Sequence, residues 1–151
     1  MKQLKKLKLR QMEKSLEQWR NRPLPQRPAD GWIRSIRQAL GMSSRFLGEQ
    51  VQLTDSAVRR LEDSEKADTI TLSSLKKLAN GLDCDVLYAL VPRQPLSDTL
   101  KQQALKVAQE QINRVQHNMA MEAQQVDLQE INQQIKELAE ELQNKPRELW
   151  Q

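Results

Sequence analysis

GMSSRFLGEQVQLTDSAVRRLE, residues 41–62, contains two helix starts of the same design. Ser43 offers an N-cap, with Met42 before it and Leu47 after it placed to close as a hydrophobic staple. Thr54 offers a second, stapled by Leu53 and Val58. The caps stand eleven residues apart. That leaves room for about two turns of helix and a tight turn between them. Leu47, Val51, Leu53, Val58 and Leu61 fall on the side that a small core would cover. Gly48 falls where the two helices cross, and a missing side chain lets them approach. A mid-helix Gly costs about 1 kcal/mol against Ala, so tight packing is the reading for it.

Two short helices meeting at a tight turn is the geometry of a helix-turn-helix, whose second helix enters the major groove of DNA. The outward residues of the second helix are Asp55, Ser56, Ala57, Arg59 and Arg60. All but Ala57 can hydrogen-bond to base edges or phosphates, and Arg is the commonest reader of guanine. Thr54, Asp55, Ser56, Arg59 and Arg60 are therefore candidate groove residues, with Arg59 first among them. Ser43, Ser44 and Arg45, at the start of the preceding helix, are candidates for holding phosphates. Gln52 occupies the turn position that often carries Gly, where a left-handed conformation costs roughly 1 kcal/mol. The staples alone fit a helical hairpin in an interaction domain equally well, so the flanking helices must decide.

The composition is that of an almost all-helical protein: Gly and aromatic residues are scarce in the 151-residue chain. No apolar run approaches a membrane span, and the N-terminus lacks the apolar core of a signal peptide. The single Cys84 cannot form an internal disulfide, so a soluble cytoplasmic protein is expected. The net charge of +4 is unevenly spread. Residues 1–31 carry nine Lys or Arg against three acids, residues 32–92 eight of each, and residues 93–151 seven against nine. Phosphate attraction can come from the N-terminal arm, while Arg placement on one face serves the neutral middle.

In the arm, Leu9, Met12, Leu16 and Trp19 make one apolar helical face with a basic opposite side. Packing is the first reading of that helix, phosphate contact the second and a membrane surface a distant third. RPLPQRPA at 22–29 breaks the helix into a linker. Asp30 then offers a cap for GWIRSIRQAL, which brings Trp32, Ile33, Ile36 and Leu40 to the core and ends at Gly41. After residue 62 a polar loop, DSEKADTI, carries Asp63, Glu65 and Asp68, acids that argue against close DNA contact. Thr71 caps the next helix with Ile70 and Leu75 as staple; it buries Leu72, Leu75, Leu78 and Ala79 and stops at Gly81. Helices of this size and order form a repressor-type DNA-binding domain.

IRQALGMS, the Leu47–Glu62 stretch and LSSLKKLANGLDCDV resemble the phage-repressor-like (XRE/Cro-type) helix-turn-helix superfamily. GWIRSIRQALGMS, the run from Thr69 to Pro92 ending YALVP, and HNMAMEAQ at 117–124 resemble more specifically the bacterial family called mobile mystery protein A. The similarity runs across nearly the whole chain. It implies a regulator carried on a mobile element, often beside a Fic-domain protein, and hence an antitoxin-like partner role. One motif departs from that role. Antitoxins that silence Fic enzymes directly tend to carry Ser or Thr, three residues, Glu or Gly, then Asn; here Ser44 to Gly48 is followed by Glu49. Direct inhibition by that route is not supported.

DVLYALVP, residues 85–92, suits a short strand that would pair with its copy at a dimer interface, or a fifth helix capped by Asp83 with Leu82 and Leu87 as staple. The strand is slightly favoured. Beyond Pro95, with Ser97 as cap, one helix carries Leu105, Ala108, Ile112, Val115 and Met119. A second carries Leu128, Ile131, Ile135, Leu138 and Leu142, opened by an Asp127/Glu130 capping-box spacing with Val126 and Ile131 as staple. These stripes either dimerise the protein and hold a partner, or pair with each other and the N-terminal helix as plain core. Met119 and Met121 would add a pliable apolar surface. Leu149 and Trp150 end the tail, exposed or docked.

His117 and Cys84 are each the only residue of their kind, and the four glycines are scattered. No zinc site, nucleophile–base pair or phosphate-cradling loop is expected, nor any cofactor, and catalysis is not the reading. The expectation is an all-α chain in three parts. Residues 1–29 form a basic helical arm and linker, 30–92 a helix-turn-helix domain, and 93–151 a helical hairpin. The function expected is sequence-specific binding of double-stranded DNA as a homodimeric transcriptional regulator. The alternative is a protein-binding antitoxin or interaction module whose DNA binding is secondary.

Overall fold

The computed structural model describes residues 2–121 and 127–151. It is all-helical: α1 (Lys2–Arg20), α2 (Trp32–Ala39), α3 (Ser44–Val51), α4 (Asp55–Lys66), α5 (Leu72–Gly81), α6 (Leu96–Met121) and α7 (Leu128–Gln143), then a short 3-10 helix (Pro146–Trp150). Two compact units divide it. Pro23–Ala89 holds α2 to α5; the described parts of Met1–Arg22 and Leu90–Gln151 hold the remaining helices.

In the Pro23–Ala89 unit the core is Ile33, Leu47, Val51, Val58, Leu78 and Leu82, with Ile36, Met42, Leu53, Leu61, Ile70, Leu75 and Cys84 packed around it. Leu47, Val58 and Leu78 have no exposed surface. Both expected caps of the central stretch form: Ser43 Oγ accepts from Phe46 N at 3.0 Å and Thr54 Oγ1 from Ala57 N at 3.1 Å. Thr71 caps α5 in the same way, accepting from Ser74 N. Gln52 takes the left-handed conformation its place demands, φ 59° and ψ 42°. A Cβ on Gly48 would stand 2.4 Å from the Leu53 carbonyl oxygen, so α3 and the turn touch through the missing side chain.

Several local expectations are corrected. Asp30 does not cap α2; its carboxylate meets Lys66 Nζ at 3.3 Å. The N-cap is Gly31 at φ 83°, and the first amides of α2 donate to a carboxylate from another helix. Trp32 N reaches Glu65 Oε1 at 2.7 Å and Ile33 N reaches Glu65 Oε2 at 2.9 Å. Gly31 is needed twice over, for its positive φ and because a Cβ there would lie 2.8 Å from Glu65 Oε2. Residues 63–66 are the last turn of α4, not loop, and each acid is engaged: Asp63 with Arg34, Glu65 with α2, Asp68 with Arg27. Helix α4 ends at Ala67 with Asp68 left-handed, and Thr69 N and Asp68 N donate back to Ser64 and Glu65 carbonyls. Helix α5 does end at Gly81, with Leu82 as its C-cap and Asp83 beyond it at φ 55°. Gly81 serves packing as well, since a Cβ would meet Val51 and Leu47 at 2.6 and 2.7 Å. Leu72, expected inside, is 44% exposed.

The strand expected at 85–92 does not form, nor does the alternative helix; this segment has no regular hydrogen-bonded structure. A strand needs a neighbouring edge, and the described residues, which hold helices and no other strand, supply none. Leu87, Tyr88 and Leu90 stay 80, 65 and 83% exposed.

In the other unit α6 and α7 pair as the expected hairpin over Ala104, Ala108, Ala139, Leu142 and Leu149, with Leu100, Val107, Ile135 and Leu138 alongside. The buried stripe of α6 is thus rotated from the expected one. Alanines at the contact let the axes approach, and Leu105 and Val115 are left largely outside. Ser97 is not the cap of α6, which starts one residue earlier; Pro95 O accepts from Asp98 and Thr99 N. Ser97 N instead donates to Glu13 Oε1 of α1 at 2.7 Å. Asp127 caps α7 by accepting from Gln129 N. Its expected staple residue Val126, the Met121 side chain and part of the 117–124 stretch lie outside the described residues. Leu149 docks, held also by Gln103 Nε2 on its carbonyl at 2.8 Å, while Trp150 is 60% exposed.

Candidate nucleic-acid interface

What aims α4 outward is a buried charge cluster on its inner face. Glu62 has no exposed surface. Arg37 of α2 grips it through Nε at 2.6 Å and Nη2 at 3.1 Å, and Arg34 adds Nε at 3.1 Å. Arg34 also reaches Asp63 at 2.8 Å, and Arg37 Nη1 donates to the Met42 carbonyl at 2.9 Å. Hydrogen bonds to Glu62 and Asp63 raise the Arg34 pKa above its ordinary value. Breaking such a buried pair leaves an uncompensated charge, which makes the α2–α4 register expensive to change.

The outer face of α4 carries the candidate residues. Thr54 Oγ1 caps the helix and lies 3.2 Å from Ser56 Oγ on the exposed side. Asp55 Oδ2 and Arg59 Nη2 pair at 3.0 Å one helical turn apart, with side chains 37 and 65% exposed. Arg60 is exposed, and among the described residues its guanidinium makes no ion pair or hydrogen bond. Ser56, Arg59 and Arg60 therefore project together from one helix face, and the one acid among them is already paired.

At the start of α3, Ser43 is exposed and caps the helix, and Arg45 is 82% exposed with Glu49 at 3.4 Å. Ser44 is only 6% exposed. Its hydroxyl donates to Asp55 Oδ1 and accepts from Arg59 Nε at 3.3 Å, so it faces α4 and not the solvent. The two helix starts thus lie side by side, joined by Ser44, Asp55 and Arg59.

Sequence reading passed over Arg34, Arg37 and Glu62, and placed Glu65 in a polar loop. A signal existed: Val58, Glu62 and Glu65 continue the inward stripe of α4 at spacings of four and three, so two acids stand where core residues belong. It also passed over Phe46, which stands 48% exposed beside Arg45.

No curated protein matches the chain, and no solved structure does. No helix among the described residues is long and apolar enough to cross a membrane. Residues 33–88 match the family model described as Helix-turn-helix, a span running from the first turn of α2 through α5. That likeness, over the unit whose geometry is described above, supports a DNA-binding regulator.

Proposed function

We propose that the chain is a sequence-specific transcriptional regulator that binds double-stranded DNA as a homodimer. The outer face of α4 carries this reading: Ser56, Arg59 and Arg60 project together, with Asp55 neutralised by Arg59. In this reading Thr54, Asp55, Ser56, Arg59 and Arg60 meet the major groove, and Ser43, Ser44 and Arg45 hold phosphates through backbone amides and the Arg45 side chain. Residues 30–92 bind DNA, residues 1–29 add phosphate attraction, and residues 93–151 serve dimerisation or a partner. Leu87, Tyr88, Leu90 and Val91 form an exposed apolar run that a second copy would cover. As the resemblance to mobile mystery protein A implies, the regulator is carried on a bacterial mobile element, beside a Fic-domain protein, with an antitoxin-like partner role.

The test is fluorescence anisotropy with DNA from upstream of its own gene against scrambled DNA, at two salt concentrations. Preference for the native fragment persists at higher salt, and Arg59→Ala lowers affinity by ~1–3 kcal/mol with relaxed sequence preference. Weak binding that vanishes equally from both DNAs would refute a specific regulator.

Exposed Leu105, Val115 and Leu128 favour a second reading, a protein-binding module. It predicts co-purification with the neighbouring gene's product, lost when Leu105 and Val115 are replaced by Ser. A complex indifferent to those changes counts against that surface.

A further inference from the structure

Phosphates line both edges of the major groove and repel a bare carboxylate, so an acid at the groove-facing end of α4 needs an account. Asp55 is not bare. Its Oδ1 accepts from Ser44 Oγ, its Oδ2 lies 3.0 Å from Arg59 Nη2, and Arg59 Nε donates to the same Ser44 hydroxyl at 3.3 Å. The i,i+4 spacing supplies the ion pair alone. The hydroxyl comes from α3 and is buried, which turns the pair into a closed triangle anchored on a second helix.

The triangle leaves both side chains able to bind more. A carboxylate accepts at about four lone-pair sites, and two are used here. A guanidinium has five N–H donors; Nε and one hydrogen of Nη2 are used, so one N–H on Nη2 and both on Nη1 remain as an end-on fork. With 37 and 65% of their side chains exposed, both groups are reachable from the groove.

We propose that Asp55, held by Ser44 and Arg59, is a specificity-determining residue that accepts from the N4 amine of a cytosine while the Arg59 fork takes a guanine. This inference rests on the DNA-binding reading of α4. Cytosine presents a donor in the major groove without a purine N7 beside it. Guanine and thymine present acceptors, which set lone pair against lone pair with a carboxylate. Adenine offers its N6 amine but places the N7 acceptor beside it, and a carboxylate has no hydrogen for N7. The same inventory says what an amide would do. Asn keeps the shape of Asp, gains a donor, and matches adenine N6 and N7 together.

The full-length protein and its Asp55→Asn and Asp55→Ala variants each select from a pool of random duplexes, and the enriched sequences are read. Wild type is expected to prefer cytosine about tenfold or more at one position of its motif. Asp55→Asn turns that position to adenine and Asp55→Ala leaves it unselected; the guanine taken by Arg59 weakens in both, since its fork loses the carboxylate that holds it, and positions away from this pair are unchanged. A wild-type motif reproduced at every position by both variants overturns the role of Asp55 and leaves the DNA-binding reading standing. A wild type that enriches no motif overturns the reading of α4 and this inference with it.

Discussion

Replacing Gly48 by Ala sets helix propensity against packing, and the structure decides which wins. In the middle of a helix Ala is favoured over Gly by about 1 kcal/mol. Against this, the new Cβ would stand 2.4 Å from the Leu53 carbonyl oxygen and 3.3 Å from both the Leu53 carbonyl carbon and Val58 Cγ2. Reaching an ordinary carbon–oxygen separation moves that carbonyl by roughly an ångström. It is not free to move. Leu53 N donates to the Gly48 carbonyl at 2.8 Å, Gln52 before it is left-handed, and Val58 behind it is fully buried. Overpacking of this kind costs about 1–3 kcal/mol, and a lost hydrogen bond about 1 kcal/mol more. The net expectation is destabilisation by about 1–3 kcal/mol after the propensity gain. Urea unfolding reports it through Trp32 in a Trp19→Phe, Trp150→Phe background: the midpoint falls and the slope stays. An unchanged or higher midpoint would refute the close-approach argument.

Glu62→Gln is expected to cost about 2–4 kcal/mol, because Arg34 and Arg37, only 23 and 12% exposed, keep their charges and lose the carboxylate between them. A thermal unfolding midpoint within error of wild type would show that cluster to be dispensable. At Glu13 the Ser97 backbone N–H, then the Ser97 side chain, Arg20 and Lys101, hold the carboxyl below its ordinary pKa of 4.5. A folded-state pKa below the unfolded one contributes stability above 4.5 that is lost as pH falls through the folded value. Urea midpoints of wild type and Glu13→Gln should therefore differ at pH 7 and converge in acid; a constant gap would contradict this.

The parts legible in the sequence were those whose cause is local. Ser43, Thr54 and Thr71 cap because an N-cap is settled by a hydroxyl and the amides two or three residues on. Gln52 and Gly48 were readable because a tight turn and a helix crossing make demands at a single position. What escaped was set by distant partners. Glu65 caps a helix 33 residues earlier and Glu13 one 84 residues later, and neither pairing leaves a periodic trace. The α6 stripe was misjudged for a related reason. Ala108 is buried as expected, but Leu105 and Val115, which look like core by size, give way to Ala104, because small side chains permit the closer helix pair. At the site itself the outward arginines were found from spacing, whereas the inward turn of Ser44 depends on how α3 meets α4.

The borrowed cap of α2 also imposes an order on folding. A helix of eight residues is too short to hold itself together in water. Its first amides find their acceptor only when the far end of α4 has formed and brought Glu65 back. During synthesis α2 is made before Glu65 joins the chain, so the acceptor for its first amides arrives later. Helix α2 is therefore a follower, completed by what comes after it, and Glu65 works as a checkpoint on α4. Arg34 and Arg37 of α2 brace α4 through Glu62, one turn before its end.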